Sequence, residues 1–330
     1  MKKSLYILLL PAIVLMSCTR SQPDPPASPV RLDKAAEEKA IKEIEKDRAD
    51  TQEWLRSSAY SYLAAIDRVN FDDRKTLTVG RANDNDLQLT TEDIEPHHLR
   101  ITVEEDRFRV ECVDAKARFS IKEEVKREAT LDPSYIQVGR FALRLSHQNF
   151  PALIVFDPQS PRFKQYRGIA YFPIDLSYRY EVRLKRYPKA EQTIIMSTRG
   201  NQRKAERVGW VDFLVGNTPC RLEATRLIEP GSKEGTVDIF FRDATTGKES
   251  YSVGRYVDLK KLENDNYLLD FNLAYNPACA FSEYYNCPIP PKSNVLKVAI
   301  RAGEKDSHYH STPAVVPADS SRSARVHVTQ

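Results

Sequence analysis

The chain is poor in glycine, with 11 in 330 residues. That scarcity excludes collagen-like and other glycine-periodic fibrous classes. It has no excess of either charge, since 50 Lys and Arg face 46 Asp and Glu with the signs interspersed. Nucleic-acid binding needs a basic patch or stripe, so no nucleic-acid partner is expected. A membrane-spanning run is also missing. The N-terminal apolar stretch Leu5–Met16 is 12 residues long, and a bilayer-spanning helix needs about 20. Several catalytic signatures are absent: there is no G-x-S-x-G, no H-E-x-x-H, no P-loop and no G-x-G-x-x-G. What is present is 41% hydrophobic and 29% charged residues, enough for two ordinary domains with real cores.

The chain opens "MKKSLYILLLPAIVLMSC". Lys2 and Lys3 followed by a short apolar run read as a secretory signal. Leu15-Met16-Ser17-Cys18 resembles the bacterial lipobox, which implies a signal peptide over 1–17 and lipidation of Cys18. The expectation is an envelope lipoprotein, held to a membrane face by its acyl chains at the outer membrane or in the periplasm. "TRSQPDPPASPVR" is rich in Pro and Ser, so residues 18–32 read as a flexible tether. Beyond Cys18 there remain Cys112, Cys220, Cys279 and Cys287, which allow three pairings.

Residues 33–69 read as a helical stalk. Asp33 is placed to cap it, and Ile41, Ile44, Trp54, Leu55, Tyr62, Leu63 and Ile66 form an apolar stripe that strengthens toward the C-terminal half. The first half is therefore expected in solvent and the second half docked. After residue 70 the apolar period becomes two, as in "LRITV", "RFRVECV" and above all "LSYRYEVRLK", where Leu176, Tyr178, Tyr180, Val182 and Leu184 alternate with polar residues. Similar strands follow to "YLLDFNL" and "VLKVAI". Strands at short spacing without helices predict a mainly β chain of antiparallel sandwich or barrel regions behind an N-terminal helix. We place one β unit at 70–148, a second at 149–305 and a disordered tail at 306–330; the boundary between the β units falls at "SHQNFP" (146–151) or slightly later at "DPQSPRFKQ" (157–165), where strands on both sides could share one sandwich.

Within the first unit, Gly80-Arg81, Asn85-Asp86-Leu87 and His98 with Arg100-Ile101 resemble the opening of a forkhead-associated domain. The resemblance implies the fold. Glu95 stands where that family places its phosphate-binding Ser, followed by Pro96, and a carboxylate there repels phosphate. No metal site is expected. His97 and His98 would point to opposite faces of a strand, His308 and His310 lack a third ligand, and Asn83–Asp86 lacks the glycine and distal Glu of a calcium loop.

The second unit carries "GRYV" (254–257), "LDFNLAYNPACAF" (269–281), "NCPIPPKSNVL" (286–296) and "IRAGEK" (300–305). With "WLRSSAYSYL" (54–63) and "FKQYRGIAYFPID" (163–175), these resemble the family called domain of unknown function 1684 over residues 50–305. Ala278 departs from the second Pro of that pattern but leaves the Asn276-Pro277 step intact. Asn276–Asn294 has no periodicity and is stiffened by Pro277, Pro288, Pro290 and Pro291. A loop this long is functional or tied down. A Cys279–Cys287 disulfide would close a short ring worth about 2.5 kcal/mol on a chain-entropy basis. Arg255, Asp270, Asn272, Tyr275, Asn276 and Glu304 supply a cation, carboxylates, amides and a phenol, a set suited to a small polar ligand. The expectation is a non-catalytic binder of such a ligand or of a protein partner through 255–287, with no cofactor. Two alternatives remain: a hydrolase-type enzyme with a carboxylate site, and a purely structural domain in which the loop is a core staple.

Overall fold

A computed structural model describes residues 24–232, 237–263 and 266–307. The expected signal segment 1–17, Cys18, His308, His310 and nearly all of the predicted tail lie outside the described residues. The architecture is mainly antiparallel β behind one long helix, as the residue pattern predicts. Among the described residues no helix is long and apolar enough to cross a membrane.

Helix α1 (Lys34–Ser57) starts as expected, with Asp33 Oδ1 accepting from the Ala36 amide at 2.8 Å. It is not a stalk. Ala40, Ile44 and Leu55 are buried, and with Arg48 they recur at helical spacing on one face. Arg48 donates to the carbonyls of Phe172 (3.1 Å) and Asn272 (3.3 Å) in the second unit. The helix also ends sooner than the stripe suggested. Ile66, read as helical, belongs to β1 (Ala65–Asn70).

The first unit is a two-sheet sandwich. One sheet holds β2 (Thr76–Gly80), β3 (Leu87–Gln88), β4 (Leu99–Glu104), β5 (Arg107–Cys112) and β8 (Glu128–Leu131) in the order β3-β2-β4-β5-β8. The other adds β6 (Phe119–Ile121), β7 (Glu124–Lys126), β9 (Tyr135–Val138), β10 (Phe141–His147) and β11 (Pro151–Phe156) to β1, in the order β1-β11-β10-β9-β6-β7. The facing sides meet in a core that includes Leu77, Val79, Ile101, Phe108, Val110, Phe141 and Leu143. Strand β11 lies between β1 and β10, so this unit runs to about residue 157. The boundary expected at 148 falls one strand short, since Pro151 opens β11 rather than interrupting a strand.

The second unit is one strongly curved sheet: β12 (Arg179–Arg183), β13 (Lys185–Met196), β14 (Gln202–Val215), β15 (Thr218–Leu227), β16 (Asp238–Phe241), β17 (Arg255–Lys261) and β18 (Asn266–Asp270), ordered β12-β18-β17-β16-β15-β14-β13. The alternation read in "LSYRYEVRLK" buries Tyr180, Val182 and Leu184 and leaves Glu181 and Arg183 outside. Tyr180, Phe213, Phe241 and Phe271 form an aromatic cluster, with centroids of Tyr180–Phe213 at 5.3 Å and Phe213–Phe271 at 5.4 Å. The half-barrel is completed by residues read as a tether. Ala27 bridges Phe213 of β14 in parallel and Pro29 bridges Tyr180 of β12. The amides of Ala27 and Val30 donate to Asp212 and Arg179 carbonyls at 2.9 Å. Proline is tolerated in a strap of this kind, because the amide donors fall on its non-proline residues Ala27 and Val30.

Two further elements differ from expectation. "VLKVAI" is not a strand: Ile300 gives its amide to Asp243 Oδ2 (2.6 Å) and its carbonyl to Arg255, so its backbone groups are already committed. "YLLDFNL" leaves strand geometry after Asp270 and turns through Phe271–Leu273 as a short 3-10 helix.

Candidate functional site

The segment 276–294 sits in the seam between the two units. Cys279, Ala280, Phe281, Tyr285 and Cys287 share one apolar cluster with Leu55, Leu63, Ile154 and Phe156. The rigid residues thus plug an interface. Cys279 and Cys287 lie side by side as thiols, and no disulfide joins them, contrary to the expected staple. Hydrogen bonds do the fastening instead: the Cys279 amide donates to Cys287 Sγ at 3.3 Å, and the Cys287 amide donates to Thr198 Oγ1 at 3.0 Å. The Cys279 thiol is held above its ordinary pKa by its hydrogen bond to Cys287 and by burial. Cys112 and Cys220 are free as well.

Arg255 is 1% exposed and faces away from solvent. It donates to the carbonyls of Ile300 (2.8 Å) and Glu304 (3.2 Å), also reaches Ala302, and faces Asp243 at 3.5 Å. The rings of Phe172 and Phe241 flank it at 5.6 and 5.3 Å. It therefore anchors the returning segment 300–304. Gly303 completes that return. Its φ is +78°, and a Cβ there would lie 2.4 Å from the Ala274 carbonyl oxygen.

Asp270 caps the turn after β18. Its Oδ1 accepts from the Asn272 amide (3.0 Å) and side chain (2.9 Å), and its Oδ2 pairs with Arg179. Asn272 clamps Asp175, accepting from its amide and donating to its carbonyl, both at 2.9 Å. Asn276 donates through its backbone to Glu304 Oε2 (2.8 Å) and through its side chain to Lys305 (2.8 Å), while its Oδ1 has no partner.

Beyond this framework, a cavity of about 330 Å³ opens between α1 and the β17–β18 edge. Asp270, Asn272, Tyr275 and Glu304 of the expected set line it, whereas Arg255 and Asn276 stand behind the wall. The other wall residues include Asp47 and Arg48 on α1, Tyr171, and Asp258 and Lys260 on β17. Tyr275 donates to Asp258 Oδ1 at 3.1 Å. Arg48 lies over the Tyr171 ring at 4.5 Å. Burial raises the Glu304 carboxyl to about 8, against the opposing effects of the Asn276 amide and Arg255. Burial likewise raises Asp258, and burial together with repulsion from Asp50 raises Asp47. Sequence reasoning missed the α1 residues because Asp47 and Arg48 look like ordinary solvated helix charges. Tyr171 lies inside the 163–175 segment and Asp258 just past "GRYV" (254–257), and neither carries a sequence signal that separates it from its neighbours.

On the first unit, the motif residues mostly build loops. A Cβ on Gly80 would lie 2.2 Å from the Pro96 carbonyl oxygen. Asn85 Nδ2 donates to the Ala82 and Pro96 carbonyls at 2.8 Å. His98 accepts the Glu95 amide at Nδ1 (3.0 Å) and gives Nε2–H to the Arg118 carbonyl (2.8 Å). Arg81 stays exposed at the loop edge, its Nε donating to the Ile94 carbonyl at 3.1 Å. Among the described residues no group of three His, Cys, Asp or Glu is placed to hold a metal ion.

Comparisons place both units. Residues 164–305 match the family described as Protein of unknown function (DUF1684), and residues 77–133 match the FHA domain. A solution NMR structure of an uncharacterised Haloarcula marismortui protein is 33% identical, covering 47% of this chain and 85% of that one, with a TM-score of 0.37. Mycobacterium tuberculosis EmbR, solved with a low-affinity phosphopeptide, is 16% identical over 38% of this chain and 32% of that one, with a TM-score of 0.20. No curated protein matches.

Proposed function

We propose, for a chain that belongs to the DUF1684 family through residues 164–305 and carries an FHA domain over residues 77–133, that it binds a small polar ligand in the α1–β17–β18 cavity without catalysis. One observation carries this reading. The cavity wall sets four carboxylates (Asp47, Asp258, Asp270 and Glu304) against two cations, Arg48 and Lys260. Asp270 is already neutralised by Arg179. With Glu304 held protonated by burial, Asp47 and Asp258 balance Arg48 and Lys260, and a ligand that brings N–H donors and positive charge, such as a small ammonium, is favoured where it draws the proton off Glu304. A thermal-shift screen of small amines, carboxylates and neutral polar solutes tests it. Amines should raise the melting temperature and Asp258→Asn should remove the effect. A screen in which only carboxylates stabilise the protein would sink the reading.

The FHA domain supports a second, separate activity: docking of a protein partner on its loop face. Arg81 favours an acidic group there, while Glu95 beside it opposes a doubly charged phosphate. A paired phosphorylated and unphosphorylated peptide array decides the point, and strong selection of phosphothreonine would overturn the role given to Glu95.

The anchoring reading rests on Leu15–Cys18. Cys18→Ser should abolish acylation and move the protein from the detergent phase to the aqueous phase. Unchanged partition would refute it.

A further inference from the structure

The strap fixes where the chain leaves the half-barrel. Lys185 Nζ donates to the Asp24 carbonyl at 3.0 Å, and Arg183 lies 3.6 Å from the Asp24 carboxylate. Ala27 is bonded twice to β14, giving its amide to the Asp212 carbonyl and accepting the Leu214 amide. The chain is therefore pinned to β12, β13 and β14 from Asp24 onward. Cys18 stands six residues before that point, and six residues reach at most about 22 Å in any backbone conformation. A compact chain of this length has a radius of gyration of about 19 Å, so it is roughly 50 Å across. Acyl chains on Cys18 cannot then enter a bilayer from an arbitrary side of the protein. The Asp24 end of the half-barrel has to face it.

The side chains at that end suit a headgroup layer. Lys185 stands opposite Trp210 across the β13–β14 ladder. The Tyr187 and Trp210 rings meet at 5.0 Å, and the Arg221 guanidinium lies over the Trp210 ring at 5.1 Å. Rings with an apolar body and a polar tip are the residues that gather at membrane–water interfaces. Their polar tips are already satisfied: Trp210 Nε1 donates to Asp212 Oδ2 at 3.1 Å and the Tyr187 hydroxyl to Glu223 at 3.2 Å. Asp212 is spent as well, its carboxylate 13% exposed and shared between Lys185 and Arg221. Among the exposed charges of this end, Arg183, Lys189 and Arg221 stand against Asp24 and Glu181. The Arg183 and Arg221 side chains are 65% and 61% exposed, so their guanidinium groups are free to reach outward on long apolar stems.

We propose that this end of the half-barrel, centred on Tyr187 and Trp210, is a membrane-contact face that rests in the headgroup layer of the bilayer holding Cys18, with Arg183, Lys189 and Arg221 against lipid phosphates. The proposal rests on acylation of Cys18 and is independent of the ammonium cavity. It also sets what points away. Trp54 lines a hollow together with Arg203, and Arg203 precedes Trp210 on β14 by seven residues, roughly 23 Å of strand. The two tryptophans therefore lie toward opposite ends of β14, Trp54 away from the bilayer.

Trp54 and Trp210 are the chain's two tryptophans, which makes quenching the natural test. Acylated full-length protein is reconstituted into vesicles of phosphatidylethanolamine and phosphatidylglycerol, with and without a nitroxide on the lipid headgroup. In Trp54→Phe the emission comes from Trp210 and is expected to be quenched by the nitroxide. The additional emission of the parent comes from Trp54 and is expected to survive. Arg183→Glu combined with Lys189→Glu alters two exposed side chains and should lower the Trp210 quenching while the protein still floats with the vesicles. A thermal melt verifies that both variants fold. Protein that floats with the vesicles yet shows no Trp210 quenching, or equal quenching of both tryptophans, overturns the contact face and leaves the anchor standing. Undiminished quenching in the charge-reversed variant also overturns it. Protein that carries no acyl chain and does not float overturns the anchoring reading and this face with it.

Discussion

Arg255 heads the fully buried side chains by size, yet it carries a charge. It persists because three carbonyls and Asp243 surround its guanidinium. Breaking a buried pair of this kind leaves the partner groups uncompensated and costs about 3–5 kcal/mol. Arg255→Leu should therefore lose that much in urea unfolding. Arg255→Lys should recover little, since one ammonium does not reproduce a planar fork. A loss under about 1 kcal/mol would contradict the anchoring role, being no more than a surface pair contributes. Glu304 offers a pH signature. Its folded pKa of about 8 lies above the ordinary 4.5, so the folded state holds the proton more tightly. Its stabilising share is complete below about pH 4.5 and falls away as pH rises toward 8. At about 1.4 kcal/mol per unit, the loss is a few kcal/mol. Wild-type stability minus that of Glu304→Gln should decline across this window, and a flat difference would mean the carboxyl is not held protonated. At this scale the residue types of the site were legible, but their roles were not. Arg255 and Asn276 are as polar as Asp270 and Tyr275, and only the fold decides which of them meets the cavity.

The elements show what periodicity conveys and what it hides. Alternation found β12 and capping found α1, because each depends on neighbours close in sequence. The strap at Ala27–Val30 was read as a tether because Pro-rich composition describes a free extended segment and a docked one equally well. Its hydrogen bonds run to β12 and β14, more than 140 residues away. Ala27→Pro removes the donor to the Asp212 carbonyl and should destabilise the half-barrel by about 1–3 kcal/mol, the cost of one lost buried hydrogen bond. Amide exchange at Leu214, which donates to the Ala27 carbonyl at 2.8 Å, should accelerate with it. Unaltered Leu214 protection would mean that the strap is dispensable.

Across the whole molecule, the proline-braced segment 276–294 joins what are otherwise two independently cored units. Phe281 is 3% exposed in that seam. Phe281→Ala should cost about 3–5 kcal/mol, as large-to-small core changes do, and split one unfolding transition into two. A single, merely shifted transition would show that the units do not depend on the seam for their coupling. The same seam holds α1 against the second unit and so shapes the cavity where Asp47, Asp258 and Glu304 converge. The central claim is that this cavity takes a small ammonium, and calorimetric titration of putrescine at pH 7 in two buffers of different ionisation enthalpy tests it most directly. One saturable site is predicted, with a proton released as Glu304 ionises beside the cation and with binding lost in a folded Asp258→Asn. Heats without saturation, or equal affinity in Asp258→Asn, would contradict it.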